Sequence, residues 1–273
     1  RYNQCILNML VKNNWVPFVP NDPFQYNLHI GIDVGGKHNT KAMACIAYGY
    51  ANSESRLIFL PYEIPVQSQQ VEPIPSPFLY EGLLNLLEQL YNELKAANRT
   101  PDFQKILFLR DGEFRGVHNI WNEAEALSRL YETLKERGWV DDKALWTAVE
   151  VSKRSENWRI LRPVELMTRN PLIGQVVFPF EDDHKALVCT TGSPYLSGGA
   201  QDISQGTAEP LLLKIKDVQG IANVDSVIKD IVWEADICFT KLDQGGALPW
   251  SLHIADTGAL QQSRAYITTG VTV

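Results

Sequence analysis

The sequence predicts an α/β protein with a mixed central sheet flanked by helices. Three apolar runs near its start indicate consecutive strands, and two amphipathic helices then alternate with two further strands. With 45% hydrophobic residues in 273, the chain can bury a core of this size. A charged fraction of only 21%, without low-complexity runs, excludes a disordered protein.

The strands that open the predicted sheet come from the first quarter of the chain. Residues 28–34, LHIGIDV, form an apolar run that reaches Asp33 and predicts a buried strand. The segment GGKHNT at 35–40 predicts a turn, and residues 41–50 and 56–64 predict two more strands. We expect a meander whose first strand carries an acidic residue at its end.

Helices and strands then alternate. Leucines at helical spacing predict an amphipathic helix at 78–97, and a strand follows at 105–109. A second helix is predicted at about 120–137 and a strand at 145–151. The resulting order β-β-β-α-β-α-β is that of the RNase H-like fold. Beyond it we expect strands at 175–180, 186–191 and 209–215. A helix should follow at about 224–240, and another after Pro249.

Two aspartates stand where predicted strands end. Asp33 closes the first apolar run, and Asp111 follows the apolar run 105–109. Ligands bind at the carboxyl ends of the strands in an open α/β sheet, so neighbouring strands would bring these carboxylates together. Two like charges that are close together repel unless a cation lies between them, and Mg²⁺ prefers oxygen ligands. The alternative is that each aspartate only begins a turn.

Five segments, taken in order, resemble the PIWI domain of prokaryotic Argonautes over about residues 28–266. The most specific are GT-x-x-P before an apolar strand and LP-x-x-x-x-x-AD after it. The full set is IGIDVGG, RDGEF with Glu123 and Glu125 beyond it, VSKRSENWRIL, QGTAEPLLL and LPWSLHIAD. The resemblance implies a PIWI domain at 28–273. Residues 1–27, with ILNMLVKNN, resemble the end of a MID-like domain and are interpreted as a lead-in.

The resemblance implies a catalytic tetrad. Its members would be Asp33, Glu72, Asp111 and Asp256, of which the three aspartates would be the metal ligands. Many eukaryotic relatives have His at the fourth position, where many prokaryotic ones have Asp. Pro73 directly after Glu72 departs from the family pattern, and Glu63 is a possible substitute.

The implied function is that of a guide-dependent endonuclease. The expected cofactors are two Mg²⁺ or Mn²⁺ ions, and the expected reaction is phosphodiester hydrolysis in the guide-paired target strand. The implied partners are guide and target strands, of RNA or DNA, and an upstream MID or other Argonaute domain or subunit.

A basic segment is the expected phosphate-binding surface. Lys153, Arg154 and Arg159 match basic positions of the family; a solvated strand edge is the alternative. Glu209 departs from the family, since many relatives have Arg there. The net charge of −7 also argues against nucleic-acid binding, although metal-binding carboxylates contribute to it and a basic groove can be local.

Three other functions remain open. The first is a PIWI module that binds guide and target without cutting and recruits an effector. The second is a sugar kinase of the actin-like superfamily, because GIDVGGKHNTK resembles its first phosphate loop; Lys37 stands in place of the expected Thr. The third is an unguided RNase H-like nuclease or transposase.

Cysteine spacing and hydropathy indicate a cytoplasmic protein. The four cysteines are scattered through apolar stretches, which predicts buried, reduced thiols rather than a zinc site. No stretch reaches the roughly 18–20 apolar residues that a membrane span needs, so we expect no membrane partner.

Overall fold

The structure of the chain is a computed structural model that describes most of its residues. The described residues are 23–37, 40–50, 57–66, 73–114, 122–153, 158–164, 167–179, 181–192, 207–220, 223–237 and 246–269. The chain divides into two compact units. The larger consists of Gln25–Val149, Lys216–Ala222 and Ser251–Val273, and the smaller of Arg1–Phe24, Glu150–Ile215 and Asn223–Trp250.

A mixed sheet forms the centre of the larger unit. Its strands are β1 (Leu28–Lys37), β2 (Thr40–Tyr50), β3 (Leu57–Val66), β4 (Lys105–Asp111) and β5 (Leu145–Ser152). They lie in the order β3-β2-β1-β4-β5. β2 runs antiparallel to both β1 and β3, whereas β1 and β4 are parallel. The parallel pair places the carboxyl ends of β1 and β4 at the same edge of the sheet.

Helices cover both faces of this sheet. Helices α1 (Ser76–Ala96) and α2 (Glu123–Glu136) share a core with alternate residues of β1, among them Ile30 and Ile32. Helix α4 (Trp250–Thr269) lies against the alternate residues Gly31 and Gly35. Since side chains alternate across a strand, these two sets of β1 residues face opposite sides of the sheet.

The beginnings of α1 and α2 follow from local chemistry. Asn122 caps α2, because its side-chain oxygen accepts a hydrogen bond of 3.1 Å from the backbone N–H of Glu125. α1 starts directly after Pro75 and has a second proline in its first turn, where the missing N–H groups cost no hydrogen bond.

In its described residues, the smaller unit contains strands β6 to β9, the first part of strand β10 and helix α3. Strands β6 (Arg162–Val164) and β7 (Met167–Arg169) pair with each other. Strand β9 (Lys185–Val188) pairs antiparallel with both β8 (Val176–Val177) and β10 (Leu211–Gln219). Helix α3 (Val224–Asp236) begins at the capping residue Asn223, whose side chain accepts from the backbone N–H of Asp225.

The element order predicted from the sequence is confirmed, with local differences. The turn predicted at 35–40 is too long. β1 and β2 stay paired up to Lys37 and Thr40, so only two residues separate the strands. Strands predicted at 175–180 and 186–191 are shorter than expected. The pairing of β6 with β7 was not predicted, since three-residue strands carry too little periodicity to recognise. None of the helices in the described ranges is long and apolar enough to cross a bilayer.

Candidate metal centre

The register of β1 and β4 brings two aspartates to one edge of the sheet. Ile32 lies opposite Arg110 in the parallel pair, and Asp33 and Asp111 are the next residue on each strand. Neighbouring strands are about 4.8 Å apart, so both aspartates emerge side by side on the same face. Asp33 is only 6% exposed, while Asp111 is half-buried.

Close packing of α4 against β1 brings in the third aspartate. A Cβ atom added to Gly31 would collide with the backbone of Ser251, and one added to Gly35 would lie 2.9 Å from the backbone of Ala259. Ala44, which lies opposite Asp33 on β2, packs against Ala259 as well. Small residues on both sides therefore let the backbone of α4 pack directly against the backbone of β1.

Asp33, Asp111 and Asp256 converge. Each offers one carboxylate oxygen, and these three atoms all lie within 4.8 Å of one another. Asp256 is half-buried on α4. Three anionic oxygens so close together repel in the metal-free protein, and oxygen ligands of this kind suit Mg²⁺ or Mn²⁺. The donor set thus fits a divalent metal. His253, three residues before Asp256, is not a member of this group of described residues.

A buried arginine and glutamate adjoin the three aspartates. The Arg110 guanidinium places a terminal nitrogen 3.9 Å from Asp33 Oδ1, and its Nε donates to Glu123 Oε2 at 3.3 Å. Another guanidinium N–H donates to the backbone oxygen of Asp111. Glu123 Oε1 accepts from the backbone N–H of Ile74 at 2.6 Å. Arg110 and Glu123 are 2% and 0% exposed, so the contacts are shielded from solvent.

Asp33 has a further local contact. Its Oδ1 accepts a hydrogen bond of 2.7 Å from the backbone N–H of Val34. This bond and the Arg110 guanidinium both stabilise an ionised carboxylate at a position that is largely closed to water.

The whole chain resembles a solved structure more clearly than it resembles any sequence family. Neither a protein-family model nor a curated protein matches it. Among solved structures, the chain is similar to Clostridium butyricum Argonaute bound to a guide DNA (5′ deoxycytidine) and a 19-mer target DNA, with a TM-score of 0.63 and 21% identity. The fold is Argonaute-like. The similarity covers 97% of this chain and 30% of that Argonaute. It agrees with the α/β, RNase H-like fold class predicted from the sequence.

The second member of the predicted tetrad stays a prediction. Glu72 lies outside the described residues, directly before the described range that begins at Pro73. Glu63 lies on β3, where the register aligns it with Ala44 and, through Ala44, with Asp33. Two strand spacings, about 10 Å, separate the backbones of Glu63 and Asp33.

The predicted phosphate-binding residues belong to the smaller unit of the Argonaute-like fold. Lys153 directly follows β5 and is half-buried, while Arg154 lies outside the described residues. Arg159 is exposed and forms an ion pair of 2.6 Å with Glu209. Its Nε also donates to the hydroxyl of Thr207 at 3.2 Å. Glu209 therefore pairs with one of the cations expected to contact phosphate.

Sequence reasoning missed two features of the site. The contacts of Arg110 and Glu123 were not expected, although Arg110 belongs to the motif RDGEF and Glu123 was quoted with it. The close approach of α4 was also missed. Its signal is present in the sequence as glycines four residues apart, Gly31 and Gly35, with Ser251, Ala255 and Ala259 at helical spacing.

A second group of possible ligands, Asp182, Asp183 and His184, lies on the surface of the smaller unit. All three residues are exposed. Lys185 Nζ lies 3.0 Å from Asp182 Oδ2, and the hydrogen bond from Lys185 lowers the pKa of the Asp182 carboxyl. Because Lys185 already neutralises part of the negative charge, this group is a weaker candidate for a metal site than the three aspartates.

The thiols resolved by the structure are buried. Cys45 and Cys189 are free cysteines with no exposed surface. Burial raises the pKa of each thiol to about 12; at Cys45 the nearby Arg110 partly opposes this shift. The sequence-based expectation of buried, reduced thiols holds for these two, while Cys5 and Cys238 lie outside the described residues.

Proposed function

We propose that the chain is the PIWI portion of a guide-dependent endonuclease of Argonaute type. The observation that carries this proposal is the convergence of the Asp33, Asp111 and Asp256 carboxylates at the end of an Argonaute-like sheet. The substrate would be a target strand paired to a guide. The remaining parts of such a protein, a MID domain among them, would lie upstream or on a partner subunit.

The three aspartates would hold Mg²⁺ or Mn²⁺. The chemistry that two such ions supply is activation of a water nucleophile and stabilisation of the leaving 3′ oxygen in an in-line displacement. The contribution of the chain itself is preorganisation. Two neighbouring parallel strands, β1 and β4, and a closely packed helix fix the three carboxylates, so little reorganisation is needed when charge develops. Glu72, or Glu63 in its place, would supply the fourth acidic group. The expected products carry a 5′ phosphate and a 3′ hydroxyl.

Lys153, Arg154 and Arg159 would contact phosphates of the bound strands. Such contacts position a duplex without reading its sequence, which suits a protein whose specificity comes from pairing with a guide. The ion pair between Arg159 and Glu209 supports a second candidate function, a module that binds guide and target weakly and recruits an effector without cutting.

A cleavage assay separates the two functions. The complete protein is incubated with Mn²⁺ and each of the four combinations of RNA or DNA guide with RNA or DNA target, while duplex binding is measured in parallel. Cleavage in at least one combination is expected. Binding without cleavage in all four would favour the module that binds guide and target without cutting, and the absence of both would refute guide-dependent function altogether.

A further inference from the structure

Arg110 is a buried cation beside a group of carboxylates that is expected to hold a second, divalent cation. Its terminal guanidinium nitrogen is 3.9 Å from Asp33 Oδ1. A full ion pair between Arg110 and Asp33 would compete with a metal for the Asp33 carboxylate. The positive charge would also repel the metal directly, and this repulsion is strong where water is excluded.

Glu123 contacts the Arg110 guanidinium more closely than Asp33 does. Its Oε2 accepts from Arg110 Nε at 3.3 Å, a shorter contact than the 3.9 Å to Asp33. Glu123 is itself held in place, because its Oε1 accepts from the Ile74 N–H and its side chain is completely buried. It is also the first residue of α2, where the helix dipole favours a negative charge.

We propose that Glu123 is a positioning residue for the metal centre: it holds and neutralises Arg110, so that Asp33 keeps its carboxylate for the cation. The proposal deepens the proposed function, since it rests on a metal site at the three aspartates. Ile74, which donates the second hydrogen bond to Glu123, follows the predicted tetrad residue Glu72 by two positions. The Glu123 carboxylate thereby connects Arg110 on β4 to Ile74, which lies just before α1.

The test is the affinity of the metal-free chain for Mn²⁺, measured by isothermal titration calorimetry. Glu123→Gln keeps the shape and an acceptor for the Ile74 N–H but removes the charge that balances Arg110. The expected result is a Kd for Mn²⁺ at least tenfold higher than that of the wild type. Glu125→Gln is the matched control. It removes the same charge from the same helical turn at an exposed position, and its Kd should stay within about twofold of wild type.

A double variant distinguishes positioning from a merely structural role. Arg110→Gln combined with Glu123→Gln removes the competing cation together with its partner, so Mn²⁺ affinity should return to the wild-type value or exceed it. If Glu123 had only a structural role, the double variant should bind Mn²⁺ more weakly still, because it loses both buried groups. If circular dichroism shows that Glu123→Gln does not fold, the double variant alone is compared with the wild type. Its Mn²⁺ affinity should then equal or exceed that of the wild type.

Each outcome has a separate meaning. Wild-type affinity in Glu123→Gln, or a double variant at least tenfold weaker than wild type, overturns the role of Glu123 and leaves the metal site intact. A wild-type chain that does not bind Mn²⁺ removes the metal site itself, and the metal-dependent part of the proposed function fails with it.

Discussion

Arg159 Nη2 lies 2.6 Å from Glu209 Oε1, so a cation predicted to contact phosphate is paired within the protein. The pair lies at the surface, since the two side chains are 35% and 56% exposed. Exposed ion pairs contribute about 0–1 kcal/mol. A phosphate that approaches Arg159 has to compete with an interaction of this size.

Glu209→Gln is therefore expected to strengthen nucleic-acid binding. Removal of the competing carboxylate should lower the Kd for a guide–target duplex up to about fivefold, the equivalent of 1 kcal/mol. If the freed Arg159 gains a phosphate contact, the slope of log K against log salt should steepen by about 0.9 for a DNA duplex. The measurement is a fluorescence-anisotropy titration at several salt concentrations.

Two controls accompany the Glu209 experiment. Glu181→Gln removes one charge from another exposed position of the same unit and should leave the salt slope unchanged. In an Arg159→Ala background, Glu209→Gln should have little effect, because the cation that it frees is gone. An equal gain with and without Arg159 would show that Glu209 acts only through net charge.

Gly35→Ala is expected to separate α4 from the sheet. The added Cβ would lie 2.9 Å from backbone atoms of Ala259 and Leu260, which no change of rotamer can relieve. Overpacking of this kind costs about 1–3 kcal/mol of unfolding free energy. Because Asp256 lies on α4, the shift should also weaken Mn²⁺ binding severalfold.

Gly138→Ala is the matched control for this experiment. Gly138 has a φ of 70° and open space around its Cβ position, so alanine there costs about 1 kcal/mol of stability through backbone strain alone. Urea unfolding and Mn²⁺ titration of both variants make the comparison. Equal loss of metal affinity in the two would mean that close packing at Gly35 does not position Asp256.

The sequence sufficed for the α/β order and for the proximity of Asp33 and Asp111, although β1 continues past Asp33 to Lys37, so that only Asp111 ends its strand. Apolar runs of β-strand length and leucines at helical spacing are strong local signals, and Asp33 and Asp111 stand directly at the ends of such runs. Local patterns alone could not place Asp256 beside them. That position depends on how closely a helix from the other end of the chain approaches β1, which is a property of tertiary packing.

The contacts around Arg110 were harder to predict for a different reason. Charged residues are seldom fully buried, so sequence reasoning treats an Arg before a turn and a Glu at a helix start as surface groups. The structure buries both because each satisfies the other and because Asp33, Ile74 and Asp111 supply further partners.

Cys45 and Cys189 are expected to be unreactive in the native protein. Since burial raises the pKa of both thiols to about 12, only about one thiol in ten thousand is ionised at pH 8, and the thiolate is the reactive form. In a Cys5→Ser/Cys238→Ser background, Ellman's reagent should label neither cysteine until the protein is unfolded with urea. Rapid labelling at pH 8 without denaturant would show that at least one of the two is accessible.

Asp111→Asn decides whether the three aspartates carry catalysis. The substitution preserves the shape of the side chain and removes one anionic ligand from the group. Metal stabilisation of developing charge is worth several kcal/mol, and each 1.4 kcal/mol is tenfold in rate, so cleavage should fall at least about a thousandfold. Duplex binding should be retained, since the proposed phosphate contacts lie on other residues. Asp141→Asn is the control, because this exposed aspartate can keep its hydrogen bond with the Lys143 N–H as asparagine.

Stability gives an independent readout of the same variant. Asp111→Asn removes one of three mutually repelling carboxylates, so the metal-free protein should unfold at the same or higher urea concentration than wild type. Mn²⁺ should then stabilise the wild type more than the variant, because a ligand that binds the native state shifts unfolding in proportion to its affinity. If Asp111→Asn cleaves as fast as wild type and gains the same stability from Mn²⁺, Asp111 is not a metal ligand, and the assignment of the three aspartates as a catalytic group is wrong.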